Sequence, residues 1–292
     1  MSRVRALVEA CHPEPTAAVT AIATALAVAA GRGAGSLAVA AAFLTGQLSV
    51  GWSNDWVDAA RDLAVGRSDK PVVSGGLPVP VVRAAALTAA GLCVPLSLLM
   101  GVRAGVLHLL AVASAWSYNL LLKRTALSFL PYALSFGAVP SIVVLGLPGA
   151  PLAPAWASAA GALLGVGAHL ANALPDLDDD AATGVRGLPH RLGRRALSAL
   201  AVGLLLVATG LLTYGPGSAG LLTAGRGSAR LLAHGPGSAG LVPALVLPVA
   251  AAVAVAGLVL GRRPGSRAPF LAVLVVAAVD VTLLVARGSS LT

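Results

Sequence analysis

Residues Asn54 to Arg67 read "NDWVDAARDLAVGR", and they stand apart from the chain around them. Five of these fourteen residues are charged, whereas Asp, Glu, Lys and Arg make up 11% of the 292-residue sequence. An uncharged apolar run precedes the stretch, and similar runs recur to the C-terminus. Hydrophobic residues reach 57%, with a mean hydropathy of +0.88. A water-soluble domain carries about 25% charged residues, so most of this chain belongs in lipid. Only helices and closed barrels satisfy every backbone polar group inside a bilayer. Runs of about 17–25 apolar residues have the length of spanning helices. The expected fold is all-α, a polytopic bundle of about nine transmembrane helices.

Nine candidate spans lie near residues 16–31, 35–53, 80–101, 104–122, 127–147, 153–174, 194–213, 241–261 and 269–286. The first two are joined by "GRGAG", a tight hairpin by its glycine content. With the N-terminus cytoplasmic, 15 of the 20 Lys and Arg residues fall on the inside. Arg32, Arg103, Arg226, Arg230 and Arg287 remain outside. That imbalance follows the positive-inside rule and supports both the count and the orientation. "EACHPEPT" separates the basic start from the first apolar run, so that run reads as an uncleaved anchor in a multi-pass cell-membrane protein.

The net charge of +9 is scattered between the runs without interleaved aromatics, which argues for lipid contact and against nucleic acid. The bias to Ala, Gly and Pro, with 18 Arg against 2 Lys, points to a GC-rich bacterial genome and a bacterial inner membrane. Cys11 and Cys93 form no disulfide or metal pattern. Residues 214–240 carry a period-ten Gly/Ser repeat, read as a low-complexity loop between the seventh and eighth spans of a single domain, residues 1–292.

Eight of the eleven acids fall in two short segments. Asp55, Asp58, Asp62 and Asp69 follow the second span, and Asp176, Asp178, Asp179 and Asp180 follow the sixth, so both segments face the cytoplasm. The first reads Asn54-x3-Asp58-x3-Asp62-x3-Gly66, then Arg67. The second reads Asn172-x3-Asp176-x3-Asp180-x3-Gly184, with Arg186 two residues on. A spacing of four puts Asn, Asp and Asp on one helical face, where like charges repel and call for something positive. All-oxygen donors suit a hard divalent cation. Mg2+ is typically held by one or two carboxylates together with substrate phosphates.

Asp55, Asp178 and Asp179 fall off the repeated faces. Pro175 predicts a kink or break just before Asp176. His169, one turn before Asn172, reads as a hydrogen-bonded bundle histidine, with orientation of Asn172 or a ligand water as the alternative. Asp280, within the ninth span, is either a functional ionisable group or a polar clamp between helices. "HPEP" at His12–Pro15 reads as the end of a short interfacial helix.

These paired motifs resemble the UbiA superfamily of intramembrane prenyltransferases. Its N-D-x-x-D-x-x-x-D motif after the second helix matches Asn54-Asp55-x-x-Asp58-x-x-x-Asp62, and its D-x-x-x-D motif after the sixth matches Asp176-x-x-x-Asp180. "KPVVSG" from Lys70 is similar to the family's R-P-x-x-S-G, with Lys for Arg. "YNLLLKR" supplies the Tyr118 and Lys123 of its Y…K segment. "GVRGLPHRLG" resembles its G-x-x-T-L-P-x-x-x-G ending, with Gly187 in place of Thr or Ser. The resemblance spans roughly residues 10–290.

It implies a nine-helix bundle around a cytoplasm-facing cavity, and Mg2+-dependent transfer of a prenyl group from a polyprenyl diphosphate to a small hydrophobic or aromatic acceptor. Asn54, Asp58, Asp62, Asp176 and Asp180, with Asn172, would hold the metal and diphosphate. Lys70 and Lys123, with Arg67 and Arg186, would stabilise the leaving pyrophosphate, and Tyr118 would line the substrate site. Two other classes remain open on the residues alone. A transporter would place its site nearer mid-membrane on broken helices. A CDP-alcohol phosphotransferase would need glycine where Ala59 stands and leaves the second acidic segment unexplained.

Overall fold

The computed structural model describes residues 2–67, 70–149, 151–182, 187–215, 241–261 and 266–291, with side chains for all but 65, 176, 178–182 and 241–244. The described residues form ten α-helices and no strand. In chain order these are α1 (Arg3–Ala10), α2 (Pro13–Ala29), α3 (Gly35–Val65), α4 (Val79–Leu98), α5 (Val102–Leu120), α6 (Leu130–Val144), α7 (Ala155–Ala182), α8 (Leu188–Tyr214), α9 (Leu241–Leu260) and α10 (Ala268–Ala286). A 3-10 turn, Leu122–Arg124, lies between α5 and α6, and another, Gly288–Ser290, follows α10.

Helices α2 to α10 coincide in position with the nine apolar runs. Five of them (α3, α4, α7, α8 and α10) are long and apolar enough to cross a membrane. Leucines and valines such as Val28, Leu99, Val207 and Val255 point outward, each more than half exposed. An apolar surface of that extent belongs against lipid. The chain is an all-α, multi-pass membrane protein.

Proline sets where five of the helices begin. Helices α2, α4, α6, α8 and α10 each carry it in the first turn, where its missing N–H costs no helical hydrogen bond. Neighbours in sequence pack on one another, and α10 packs on α7, α8 and α2, so the last helix returns to the start of the bundle. Small residues let backbones approach closely, as expected where helices associate by packing in lipid. A Cβ on Gly161 or Gly165 of α7 would lie 2.6 Å from the Phe136 carbonyl oxygen or 2.5 Å from that of Tyr132. That approach brings the Tyr132 ring of α6 onto α7.

Two helices depart from expectation. α7 stays helical through Pro175, so the expected break is absent, and the Arg194 guanidinium donates to the Leu174 carbonyl at 2.7 Å. The interruption falls instead at Gly193 in α8, whose φ of 72° and ψ of 160° lie outside helical values. The repeat from residue 216 to 240 lies outside the described residues.

Candidate active site at the ends of α3 and α7

Helix α3 is 31 residues long, and its last turns carry Asn54, Asp55, Asp58 and Asp62. It stops at Gly66, whose φ of 69° is the left-handed C-terminal conformation, with the Arg67 amide donating to the Asp62 carbonyl at 3.0 Å. All three aspartates are buried, at 2%, 4% and 4% exposure. Carboxylates so enclosed need compensating charge, and the chain supplies three cations. Lys123 binds Asp58 Oδ1. Arg61 reaches Asp58 Oδ2 at 3.1 Å and Asp62 Oδ1 at 3.3 Å. Lys70 Nζ donates to Asp55 Oδ1 at 2.7 Å, and His12 Nε2 lies 3.0 Å from the same oxygen.

Lys123 sits on the 3-10 turn after α5 and is itself buried. Burial pulls its ammonium below the ordinary lysine range, while Asp58 works in the opposite direction. The same turn touches the segment that follows α7. A Cβ on Gly187 would lie 2.6 Å from the Lys123 carbonyl oxygen and 3.1 Å from Ser128 Oγ. Ser128 Oγ accepts the Leu188 amide at 3.2 Å and pairs with His169 Nε2 of α7 at 3.0 Å. Thus the lysine turn pairs with the first acidic segment through its side chain and packs closely against Gly187, beyond the second, through its backbone.

The geometry sorts the expected site residues. Asn54 donates to Asn119 Oδ1 at 3.2 Å, and Asn119 in turn donates to the Val50 carbonyl and to Ser53 Oγ. Tyr118 packs edge-on against Tyr132 and His169, with centroids 5.1 and 5.6 Å away, and His169 stacks on Tyr132 at 4.7 Å. Arg67 is half-buried beyond Gly66, and Asn172 is exposed on α7. Asp176 and Asp180 lie in the last turns of α7, but their side chains, and Arg186 entirely, fall outside the described residues. His169 is hydrogen-bonded to Ser128 and not to Asn172.

Two side chains near the first segment make contacts that the spacing does not announce. Asp55, which falls off the repeated face, is the most enclosed of its three aspartates and anchors Lys70. His12 follows the end of the short helix α1, as expected, and it also reaches a residue 43 positions away. Asn119 was missed because an asparagine among leucines carries no spacing signal; its place beside Tyr118 was the only clue.

The donor set is chemically suited to Mg2+, being carboxylate and amide oxygen. Among the described residues no three His, Cys, Asp or Glu side chains converge as a ready-made cage. A site of that kind binds an ion jointly with a phosphate-bearing substrate rather than by protein alone.

The sequence matches the UbiA prenyltransferase family over residues 17–247. The chain belongs to that family. Three solved structures share its fold. A UbiA homologue from Archaeoglobus fulgidus, bound to GPP and Mg2+, superposes with a TM-score of 0.63 at 15% identity, covering 98% of this chain and 99% of that one. A homologue from Aeropyrum pernix K1 gives 0.65 at 19%, covering 90% and 96%. A digeranylgeranylglyceryl phosphate synthase gives 0.64 at 13%, covering both chains fully. Comparison with curated proteins gave no significant match.

Proposed function

We propose that this protein transfers a prenyl group from an allylic polyprenyl diphosphate to a small hydrophobic or aromatic acceptor, using Mg2+ at the cytoplasmic face of a bacterial inner membrane with its N-terminus cytoplasmic. The observation that carries this reading is the Lys123 turn, which meets buried Asp58 on one side and Gly187, beyond the second acidic segment, on the other. Family membership and the GPP-bound and Mg2+-bound homologue support the donor class. Asn54, Asp58 and Asp62, with Asp176 and Asp180, would hold Mg2+, which when bound neutralises charge on the diphosphate. Asn172, Arg67 and Arg186 would contact the donor's phosphates.

Lys123 and Lys70 stand beside carboxylates, where they would meet the pyrophosphate that leaves when the allylic C–O bond breaks. The apolar bundle takes the isoprenoid tail and excludes water from the allylic cation. Tyr118 lines the space beside the Lys123 turn. The acceptor's nucleophilic atom then bonds to the allylic carbon and loses its proton.

Purified protein in detergent, given labelled allylic diphosphates of several lengths and a panel of acceptors, should yield a prenylated product only with Mg2+. EDTA should abolish turnover and added Mg2+ restore it. Absence of any Mg2+-dependent product, with undiminished diphosphate binding in Asp58→Ala and Asp176→Ala, would overturn the proposal.

A further inference from the structure

His12 joins α1 to α2 in an unusual backbone conformation. Its φ of 54° and ψ of 71° make it the single non-glycine residue at positive φ among the described residues. Histidine tolerates that region better than most side chains but still at a cost, so the surrounding structure must hold it there. Two contacts do so. The Trp52 indole of α3 donates to the Leu7 carbonyl at 2.9 Å, and Gly51 lies against the Cys11 carbonyl with no room for a side chain. The result is an imidazole aimed at the acidic end of α3.

There His12 Nε2 lies 3.0 Å from Asp55 Oδ1 and 3.2 Å from Lys70 Nζ. A lysine has only donors to offer, and an ionised carboxylate only accepts. The arrangement that leaves no clash has Nε2–H and Nζ–H both donating to Oδ1. Asp55 Oδ2 is then buried without a partner. One ammonium is a point charge and cannot span both oxygens, as a guanidinium fork does. Lys70 alone therefore holds the carboxylate by a single contact, and the imidazole supplies a second donor to the same oxygen.

We infer that His12 is a positioning residue. Through Asp55 it fixes Lys70 where the diphosphate is to bind, and it ties the α1–α2 junction to the site. This rests on the proposed function for its kinetic consequence, though not for the contact itself.

The test uses full-length protein in detergent. H12N keeps a residue tolerant of positive φ but lacks the reach, and H12Q restores a donor at a similar distance. Two readouts apply. The chain has only two lysines, Lys70 and Lys123, so acylation by an amine-reactive ester, followed by peptide mass spectrometry, reads Lys70 with Lys123 as internal control. H12N should label Lys70 several-fold faster and Lys123 at the wild-type rate, with H12Q close to wild type. With geranyl diphosphate as donor, H12N should raise KM roughly five- to tenfold with kcat within about twofold. In a K70R background, where the fork can hold both Asp55 oxygens, H12N should add no further penalty. Unchanged Lys70 labelling, or a KM penalty that persists beside K70R, would overturn the inference. A wild-type protein without prenyl product would instead refute the proposed function, and the labelling comparison would still decide the role of His12.

Discussion

The two ends of the bundle use their charges in opposite ways. At the end where α3 and α7 finish, most of the paired cations bind carboxylates, Lys123 on Asp58, Arg61 on Asp58 and Asp62 and Lys70 on Asp55, with Arg194 on the Leu174 carbonyl as the exception. At the other end, arginines bind backbone carbonyls. Arg32 donates to Val143 of α6 at 2.9 Å and to Met100, just past α4, at 3.0 Å. Arg287 donates to Leu212 at 2.9 Å and lies 3.8 Å over the Trp156 ring. The last four carbonyls of any helix lack intrahelical partners and carry partial negative charge. Arg32 and Arg287 therefore act as caps for α4, α6 and α8. They are also two of the five cations that the charge count leaves on the outside, and capping explains their presence there. Ion pairs between side chains mark the end proposed as the working end, and arginines spent on helix carbonyls mark the opposite, structural end.

That contrast predicts its largest effect at Asp58. Asp58→Ala or Lys123→Ala should lower prenyl turnover by about 10²–10³-fold, the scale seen when one preorganised electrostatic partner is removed from an active site. Asp58→Ala strands the buried Lys123 charge, and Lys123→Ala leaves Asp58 with Arg61 alone. The double replacement D58L/K123M removes both charges, and thermal unfolding should then be close to wild type, because exchanging a buried ion pair for apolar residues is often neutral or stabilising. A double variant that unfolds readily would show that the pair is structural, and the contrast between the ends would fail.

At the other end the loss should be one of stability. Arg287→Ala gives up charge-assisted bonds to carbonyls and the Trp156 contact, and should cost about 2–3 kcal/mol, with Arg32→Ala costing about 1.5–3 kcal/mol. Turnover per folded molecule should stay within about twofold for both. The check is thermal unfolding in detergent alongside turnover normalised to folded protein. A specific loss of turnover at unchanged stability would place function at this end too.

Helix positions were legible because apolar length and first-turn prolines are local signals, and α2 to α10 fall on the nine runs. The acidic faces were legible because a spacing of four repeats across 118 residues of sequence. The partners were not. Nothing local links His12 to Asp55, or Asn119 to Asn54, because such contacts depend on which helices become neighbours. Pro175 pointed to a kink or break, and the break does not occur, for a related reason. Propensity marks where a helix is weakened, but packing against α6 and α8 decides whether it breaks. Gly187 looked like a departure from the family pattern, and its environment gives the reason: a side chain there would strike the Lys123 carbonyl, while the nearby Ser128 hydroxyl accepts the Leu188 amide.

The smallest effect is expected at Asp280, which tests whether the structural end hides an ionic site. The residue is fully buried in α10, and Thr209 Oγ1 of α8 lies 2.6 Å from its Oδ1 and 3.0 Å from the Leu205 carbonyl. A threonine hydroxyl has one proton and cannot serve both acceptors. If Thr209 donates to Leu205, the group at position 280 must donate to Thr209, which a neutral carboxylic acid or an amide can do and a carboxylate cannot. Asp280→Asn should therefore keep the clamp between α8 and α10, with stability within about 0.5 kcal/mol of wild type. Asp280→Ala and Thr209→Val each break it and should cost about 1–3 kcal/mol, the usual range for a buried polar group left unsatisfied. Equal damage from Asn and Ala would mean that the negative charge itself is required. Asp280 would then belong with Asp55 and Asp58, and the division of the bundle into a working end and a capped end would no longer hold.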